Sequence, residues 1–392
     1  MNMVTLSSKA EELLALAQKL KPAFASRLDI AERNRQVPAE SIEELRRAGL
    51  FRVFQPKRYG GAEISMAEVL PIIAVLAEGC PSTAWALAVH QIHQWINGFF
   101  PVEAQDEVFA DNPDTRLVGV LQPVGGVTRE GDGYRIPGGR WPYASGCDYA
   151  DWVHLGGLVT NENGPPEPRF FVVPRQDFEI FDDWEVTGLR GTGSKSITVE
   201  NIFVPAHHSI PLAHAISGKA GLGESAVHRS AFLPMLSLNI TAPALGATRR
   251  AIEVFKAHIA ERNMPFSPAK QVAAPQTHRQ LAQAITKTNT AELLLANSAA
   301  SVRDFAERGA IMAVDKRLRT RVESSYAVKL CLQAVNELCE VSGGQMIQET
   351  HPLQRLQRDV QAMSLHAALN HDTNLELLGA DTLGQPLSTQ MV

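Results

Sequence analysis

The chain has 392 residues, of which 45% are hydrophobic and 20% are charged. This length and balance are typical of a globular protein with two or three domains, and they exclude a disordered or fibrous chain. With 37 Lys and Arg residues against 42 Asp and Glu residues, the net charge is -5. Such a slightly acidic charge argues against nucleic acid and against an anionic membrane as partners.

The cysteines and the N-terminus both indicate a cytoplasmic protein. Cys80, Cys147, Cys331 and Cys339 have neither the spacing of a zinc motif nor that of a redox C-x-x-C pair. We expect reduced and mostly buried thiols. Residues 1–25 mix charged residues with leucine and alanine, which predicts an amphipathic helix and not a signal peptide. No window reaches the roughly 18 apolar residues that a membrane span requires.

The first part of the chain has the pattern of α-helices. Ala10, Leu13 and Ala17 recur three and four positions apart, as residues on one face of a helix do. Further along, Ser82 follows Gly, Cys and Pro and can cap a helix that carries Trp85. We therefore predict an N-terminal helical domain.

The middle of the chain changes to the pattern of β-strands. Short apolar stretches at 117–121, 153–159 and 170–173 are separated by clusters of Gly, Pro and Asp. Residues 196–200 alternate polar and apolar side chains, which is the period of a half-buried strand. The sequence thus predicts an all-β domain that ends near residue 211.

Helical periods return after Gly223. Val328, Leu332, Val335 and Cys339 have the spacing of a seam in a helix bundle. The order along the chain is therefore helical, β and helical. The predicted domains are an N-terminal helical domain at 1–114, a middle β domain at 115–215 and a C-terminal helical bundle at 216–392.

Two nucleotide-binding motifs can be set aside. Residues 188–196 (GLRGTGSKS) nearly match a phosphate-binding loop, but Ser194 stands where that motif requires lysine. The segment also leads into a predicted strand, whereas a phosphate-binding loop opens a helix. No G-x-G-x-x-G follows a strand near the N-terminus, so we expect no resident nicotinamide domain.

Two histidine pairs have weak support as metal ligands. His90 and His93 lie three apart on a predicted helix, but no acidic residue stands at a metal-ligand spacing beside them. His207 and His208 lie in a predicted loop beside Pro205. We expect solvated or hydrogen-bonded histidines and no metal.

The segment Arg140–Gly146 (RWPYASG) suits a planar aromatic ligand. Its two aromatic side chains can stack on a ring or border it, and its serine hydroxyl and backbone N–H groups can bind polar edges. An ordinary hydrophobic turn with a capping serine explains the same residues.

Taken together, these features resemble the acyl-CoA dehydrogenase superfamily. The resemblance is carried by the three-part order, by RWPYASG followed by Asp151 and Trp152, and by the run WEVTGLRGTGSKSITVENIFVP at 184–205. More narrowly, the chain resembles the group D flavin monooxygenases, which are oxygenase components of two-component systems such as 4-hydroxyphenylacetate hydroxylase. The resemblance implies a mostly α fold with a central β-barrel and a C-terminal four-helix bundle.

The chain departs from the dehydrogenases at their catalytic base. Many of them continue from a segment like HPLQRLQRD, here at 351–359, into a Tyr-Glu-Gly-Thr motif whose glutamate abstracts a substrate proton. In this chain residues 362–367 read AMSLHA and contain no carboxylate. A monooxygenase is favoured, because the dehydrogenase reaction needs a general base. A dehydrogenase with its glutamate on another helix stays open.

His366 and Ser145 are the predicted catalytic residues. His366 falls where group D monooxygenases carry a histidine, and Ser145 falls where they carry a flavin-contacting serine. The resemblance implies that the pair stabilises a flavin 4a-hydroperoxide and moves protons near neutral pH. His371 is close in sequence and is an alternative to His366.

The resemblance also implies flavin-binding residues in two regions. One lies in the β-domain motifs, and the other approaches the flavin bound mainly by a neighbouring subunit in the superfamily. The predicted flavin-binding residues are Gln122, Trp141, Ser145, Thr192 and Ser194 in the first region and Arg262, Phe266, Gly343 and Gly344 in the second.

The sequence therefore predicts the oxygenase component of a two-component flavin-dependent monooxygenase. We expect it to take reduced FMN or FAD from a separate NAD(P)H:flavin reductase, to use O2 and to hydroxylate a small aromatic substrate. We also expect a homotetramer. The alternatives are an acyl-CoA dehydrogenase or related flavin oxidase, and a non-catalytic flavin-binding scaffold.

Overall fold

The computed structural model describes residues 5–161, 164–216, 225–264, 266–389 and 391–392. Within these residues, the N-terminal part of the chain is helical as far as Phe109. Its helices are α1 (Ser8–Ser26), α2 (Leu28–Asn34), α3 (Ala39–Arg47), α4 (Met66–Gly79), α5 (Pro81–Asn97) and α6 (Val102–Phe109).

The starts of these helices follow local capping rules. The side chain of Ser7 accepts a hydrogen bond from the Ala10 N–H at 3.3 Å and begins α1. Ala10, with Leu13 and Ala17, is fully buried as the spacing predicts. The predicted cap at Ser82 is wrong, because α5 begins one residue earlier. Proline is well tolerated at the first helical position, where no N–H partner is needed.

Strands form the middle of the chain, as predicted. They are β1 (Leu117–Glu130), β2 (Gly133–Ala144), β3 (Trp152–Val159), β4 (Glu167–Pro174), β5 (Glu179–Phe181), β6 (Lys195–Pro205) and β7 (Ser209–Pro211). Their order in the sheet is β5-β6-β2-β1-β3-β4-β7. The pairing of β1 with β3 is parallel, and the other pairings are antiparallel.

The sheet rolls around a core of its own, as a barrel does. Tyr134 on β2 meets Phe171 on β4 edge to face, with ring centroids 5.3 Å apart. Trp141 and Ile197, from the same half of the sheet as Tyr134, are buried in this core together with Leu155 from the other half. The two ends of the strand order therefore curl toward each other.

The last part of the chain is a helix bundle. Its helices are α7 (Leu212–Ile216), α8 (Phe232–Glu261), α9 (Pro275–Glu307), α10 (Val314–Val341), α11 (Pro352–Ser364) and α12 (His371–Thr382). Helix α10 packs against α8, α9, α11 and α12. Val328, Val335 and Cys339 of the predicted seam are fully buried and Leu332 is partly buried, so the predicted bundle is confirmed.

The two helical parts share one hydrophobic core. Helix α4 packs on α8, and α5 packs against both α8 and β1. The Asn239 side-chain amide on α8 donates to the Ala88 carbonyl on α5 at 2.6 Å. Helix α5 therefore lies where all three parts of the chain meet. The exact boundaries after residues 114 and 215 stay predictions.

In the described residues, no helix has both the length and the apolar character that crossing a membrane would require.

Candidate active site

Three hydroxyl groups form a buried chain beside α5. Ser145 directly follows β2, and Thr192 and Ser194 lie in the turn before β6. The Oγ atoms of Ser145 and Ser194 are 2.7 Å apart, and Ser194 Oγ lies 2.7 Å from Thr192 Oγ1. The Gly146 N–H donates to the Thr192 carbonyl at 2.9 Å and joins the two turns. The structure thus brings together three of the predicted flavin-binding residues.

The partners of this chain fix the direction of its hydrogen bonds. Thr192 donates its only hydroxyl proton to the Leu189 carbonyl at 2.8 Å. Its oxygen must therefore accept from Ser194, and the Ser194 oxygen must accept from Ser145. The Trp85 indole N–H donates to Ser145 Oγ at 3.1 Å. Ser145 is left with a free lone pair and no free proton, so it can only accept a further hydrogen bond.

Trp85 also connects the hydroxyl chain to His366. The two rings meet edge to face with centroids 5.8 Å apart. His366 lies just beyond the end of α11, and its Nδ1 accepts the Ala368 N–H at 3.2 Å. In a neutral imidazole the proton is then on Nε2, which is a donor. Burial lowers the pKa of His366 to about 4, so the ring is neutral at pH 7.

His371, the alternative to His366, lies elsewhere. Its Nδ1 is 3.0 Å from Ser325 Oγ, and its ring stacks on Tyr326 with centroids 5.5 Å apart. Both contacts are to α10. The geometry favours His366 over His371 as the histidine beside the hydroxyl chain, and the catalytic role of His366 stays a prediction.

Trp141 and Gln122 do not join the hydroxyl chain. The Trp141 side chain is buried inside the rolled sheet, and its indole N–H donates to the Gly156 carbonyl at 2.9 Å. Gln122 is exposed on β1, and its backbone lies against the same Gly156. Their roles at the flavin stay predictions, and the position of Trp141 in the core argues against its role.

The C-terminal group of predicted flavin residues forms a separate surface. Arg262 Nη1 donates to Gln271 Oε1 at 2.7 Å and to the Val341 carbonyl at 3.0 Å. Gly343 has a φ of 72°, and a Cβ there would lie 1.9 Å from Arg262 Nη2. Only glycine therefore allows Arg262 to cross the end of α10 in this way.

The remaining members of this group are exposed beside it. Phe266 is at the tip of a turn between α8 and α9, with a φ of 57° and a fully exposed ring. Gly344 is exposed, with open space around its Cα. In the described residues, no hydrogen bond or ring contact joins Arg262 or Phe266 to the hydroxyl chain.

Within the described residues, a buried histidine beside Ser145 makes no hydrogen bond of good geometry. His90 on α5 is fully buried, and both of its ring nitrogens are unpaired within the described structure. A Cβ at Gly146 would lie 2.9 Å from His90 Nε2, so the ring borders the turn that carries Ser145. Burial lowers the pKa of His90 to about 4. Unpaired buried polar atoms are rare in proteins, and here they suit a polar group of a ligand.

Two further buried histidines lie near His90, and their rings contact each other. His93 Nδ1 on α5 lies 3.1 Å from His154 Nδ1 on β3. Burial lowers the pKa of His93 to about 3 and that of His154 well below its ordinary value, so both rings are neutral. The spacing of His90 and His93 was visible in the sequence. Their surroundings could not be predicted, because His154 on β3 and Gly146 after β2 are distant from α5 in the chain.

His207 and His208 are both hydrogen-bonded, and His207 is also partly exposed. Their Nε2 atoms lie 2.8 and 2.7 Å from the two carboxylate oxygens of Glu107 on α6. The three residues offer ligand atoms within 4.8 Å of one another, so a metal ion could be held there. Mutual hydrogen bonding already explains the cluster, because each imidazole satisfies one carboxylate oxygen.

The residues around Trp85 have the chemistry that an isoalloxazine ring needs. They offer an indole face, an acceptor at Ser145 and a neutral imidazole donor at His366, and His90 adds unpaired nitrogens. Arg262 offers a cation for a phosphate group at a separate place. The donor set therefore fits a flavin whose ring and phosphate are held by different parts of the protein.

Comparisons with known proteins identify the family of the chain. The chain matches the acyl-CoA dehydrogenase N-terminal domain over residues 10–104 and the acyl-CoA dehydrogenase C-terminal domain over residues 238–371. A pigment production hydroxylase of Rhodococcus sp. is 32% identical over 97% of this chain and 98% of its own length. The oxygenase component of p-hydroxyphenylacetate 3-hydroxylase from Acinetobacter baumannii is 30% identical over 97% of this chain and 91% of that protein.

A solved structure extends the likeness to the whole fold. XiaF from Streptomyces sp., in complex with FADH2 and glycerol, matches with a TM-score of 0.93 and 28% identity. The match covers 98% of this chain and 98% of XiaF. The chain therefore belongs to the acyl-CoA dehydrogenase superfamily and, within it, to the flavin-dependent monooxygenases that serve as oxygenase components.

Proposed function

We propose that this protein binds reduced flavin delivered by a separate NAD(P)H:flavin reductase and uses O2 to hydroxylate a small aromatic compound. The observation that carries the proposal is the arrangement of Ser145 and His366 around Trp85. When bound, reduced flavin supplies the electrons that activate O2. The protein residues have to bind the ring, exclude water and handle protons.

The direction of the hydroxyl chain supports binding of the reduced form. The central ring nitrogen of reduced flavin carries a hydrogen and donates, whereas the same nitrogen in oxidised flavin accepts. Ser145 Oγ can only accept, because Ser194 takes its proton. A site with this polarity discriminates against oxidised flavin, as an oxygenase supplied by a separate reductase requires.

The neutral histidines support a neutral, polar aromatic substrate. His366 offers an Nε2–H to an oxygen atom, because its Nδ1 is occupied by the Ala368 N–H and the ring is neutral at pH 7. His90 offers unpaired nitrogens to a phenolic hydroxyl or a similar group. None of these rings is charged at pH 7, so an aromatic ring can enter without an unpaired charge beside it.

The contacts of this site argue against the dehydrogenase alternative. Within the described residues, the hydrogen bonds and ring contacts of Ser145, Trp85 and His366 involve hydroxyls, aromatic rings and backbone groups, and none involves a carboxylate. Asp359 on α11 is a buried carboxylate, but its Oδ1 accepts the Leu189 N–H. Abstraction of a substrate α-proton has no base in this set.

We also infer a homotetramer in the cytoplasm. Exposed apolar side chains on α9, α10 and α12 (Leu293, Tyr326 and Leu375) offer surface for subunit contacts. A tetramer would let Arg262 and Phe266 of one subunit reach the flavin of another. All four cysteines are free thiols, which suits a reducing compartment. A stable, active monomer in sedimentation experiments would contradict the tetramer.

The test combines the purified protein with a flavin reductase, NADH, O2 and a panel of phenols. Reactions are run separately with FMN and FAD, and hydroxylated product and hydrogen peroxide are both quantified. We expect product from at least one phenol and tighter binding of reduced than of oxidised flavin. Absence of product, together with reduction of the bound flavin by an acyl-CoA thioester, would establish the dehydrogenase alternative. Flavin binding with neither reaction would favour the non-catalytic flavin-binding scaffold.

A further inference from the structure

The loop that carries Thr192 and Ser194 is seated directly on α11. A Cβ at Gly188 would lie 2.2 Å from the Arg358 carbonyl oxygen, so the loop backbone touches the helix backbone. Next to this contact, Asp359 Oδ1 accepts the Leu189 N–H at 2.6 Å. The Asp359 side chain is only 3% exposed. A buried carboxylate therefore joins the loop to the helix.

Leu189 has a strained backbone and ends the hydroxyl chain. Its φ of 54° and ψ of 30° are in the left-handed region, which is unfavourable for a leucine. Its carbonyl accepts the Thr192 hydroxyl at 2.8 Å and the Trp184 indole N–H at 3.2 Å. The peptide between Leu189 and Arg190 carries this carbonyl, and its orientation therefore decides where the Thr192 proton points.

The same helix positions the histidine of the site. Helix α11 ends at Ser364, and His366 follows and faces Trp85. Glu32, Arg358 and Arg355 are charged groups that influence the pKa of Asp359. Arg358 pairs with Glu32 at 3.1 Å and with the Thr187 carbonyl. These pairs leave Asp359 as the group that binds Leu189.

We propose that Asp359 is a positioning residue that acts through Leu189. Its hydrogen bond fixes the Leu189 N–H on one side of the residue, and the left-handed Leu189 backbone then sets the direction of the carbonyl at which the hydroxyl chain from Ser145 ends. The same contact fixes the position of the hydroxyl chain relative to His366, because Trp85 contacts both Ser145 and His366. The inference rests on the proposed function for its effect on catalysis, but its effect on the loop does not.

Three variants test this role. Asp359→Ala removes the acceptor, whereas Asp359→Asn keeps an oxygen that can accept the Leu189 N–H. Gln55→Ala is the control for loss of a buried polar side chain, because the Gln55 amide donates to the Tyr59 and Pro113 carbonyls far from the loop along the chain. Hydrogen exchange of residues 187–194 is measured in the flavin-free proteins. The fraction of consumed reduced flavin that ends as hydrogen peroxide is measured separately.

We expect Asp359→Ala to accelerate exchange at 189–193 by about 10-fold, the effect of losing one hydrogen bond. It should also raise the peroxide fraction at least about 3-fold. Asp359→Asn should stay within about 2-fold of wild type in both readouts, because its amide oxygen still accepts the Leu189 N–H. Gln55→Ala should lower thermal stability without changing either readout. Should Asp359→Ala fail to fold, Gly188→Ala separates the loop from α11 and should reproduce both effects.

Several results would overturn the role of Asp359. Wild-type exchange and wild-type peroxide in Asp359→Ala would do so, and so would an Asp359→Asn protein as impaired as Asp359→Ala. If Asp359→Ala does not fold, wild-type exchange and wild-type peroxide in Gly188→Ala would likewise overturn the role. If the wild-type protein makes no product while exchange at 189–193 still responds as expected, the proposed function fails and the positioning role of Asp359 stands.

Discussion

The hydrogen-bond partners of Ser145 leave it able only to accept a further hydrogen bond. Its proton is used by Ser194, and its oxygen is approached by the Trp85 N–H. Ser145→Ala should weaken binding of reduced flavin by about 1 to 2 kcal/mol, the range for one hydrogen bond in a buried site. Ser194→Ala should behave differently, because it frees the Ser145 proton for donation.

The Ser194→Ala protein is thus the sharper of the two variants. Its ratio of dissociation constants for oxidised and reduced flavin should move toward 1, since Ser145 can then donate to oxidised flavin. Equilibrium titration of each redox form under anaerobic conditions measures this ratio. An unchanged ratio would show that the hydroxyl chain does not set the redox preference.

His366→Ala should affect a different step. A general acid or base typically contributes about 100- to 10,000-fold to its step, so hydroxylation should slow by this range. The dissociation constant of reduced flavin should stay near the wild-type value. His371→Ala is the control, because that side chain contacts Ser325 and Tyr326 on α10. Single-turnover product formation distinguishes the two, and wild-type hydroxylation by His366→Ala would remove its catalytic assignment.

At the residue scale, the sequence motifs identified candidate site residues but not the residues that contact them in the fold. Ser145, Thr192 and Ser194 were identified from their motifs, and they do lie together. Trp85 was visible only as a helix residue, because its partners Ser145 and His366 are distant in the chain. Trp141 was grouped with Ser145 because both belong to RWPYASG. The local motif does not reveal that Trp141 points into the sheet core.

At the element scale, the short segments around Arg262 and Gly343 form one surface. Arg262→Ala should weaken flavin binding by about 1.5 to 3 kcal/mol if the guanidinium pairs with a flavin phosphate. Gln271→Ala should have a smaller effect, since Gln271 only orients Arg262 through a 2.7 Å hydrogen bond. Titration with FMN measures both. An Arg262→Ala protein with wild-type affinity would return Arg262 to a purely structural role.

Helix α5 shows why periodicity gives elements but not their environment. Nearly all of its residues are buried, including the polar His90, Gln91 and Gln94. A sequence pattern predicts one buried face, because it assumes that the other face meets water. Helix α5 instead meets the bundle on one side and the β domain on another. Its polar residues therefore bind backbone carbonyls or line the site. The Gln91 side-chain amide, for example, donates to the Leu50 carbonyl at 2.8 Å.

At the scale of the whole molecule, the order of the three parts followed from changes in periodicity, but their junction did not. Helices α4 and α8 share a core although they are far apart in the chain. One reason is close backbone approach, since a Cβ at Gly246 would lie 2.0 Å from the Ala74 carbonyl oxygen. A single glycine in a long helix does not show in the sequence which other helix packs against it.

The assembled molecule should lose stability as the pH falls from about 6.5 to 4, because several histidines are buried without charge. Burial lowers the pKa of His90 and His228 to about 4 and that of His93 to about 3, from an ordinary 6.5. In the unfolded chain these groups bind protons near pH 6.5, so protonation favours unfolding below that pH. When complete, the effect is on the order of 3 kcal/mol for His90 and for His228 and on the order of 5 kcal/mol for His93.

Asp359 opposes this trend in the same pH range. Burial raises its pKa to about 7 from 3.8, so its contribution is fully present below pH 3.8 and is lost as the pH rises through 7. The buried histidines with a lowered pKa, which also include His366 and His154, outnumber this one carboxyl, so acidification still causes a net loss of stability. Denaturant unfolding at pH 7.5, 6 and 5, at one protein concentration, measures it. His228→Gln, which lacks the titrating ring near Gly98, should show a shallower fall, and equal unfolding free energies for the wild type at pH 7.5 and 5 would contradict the argument.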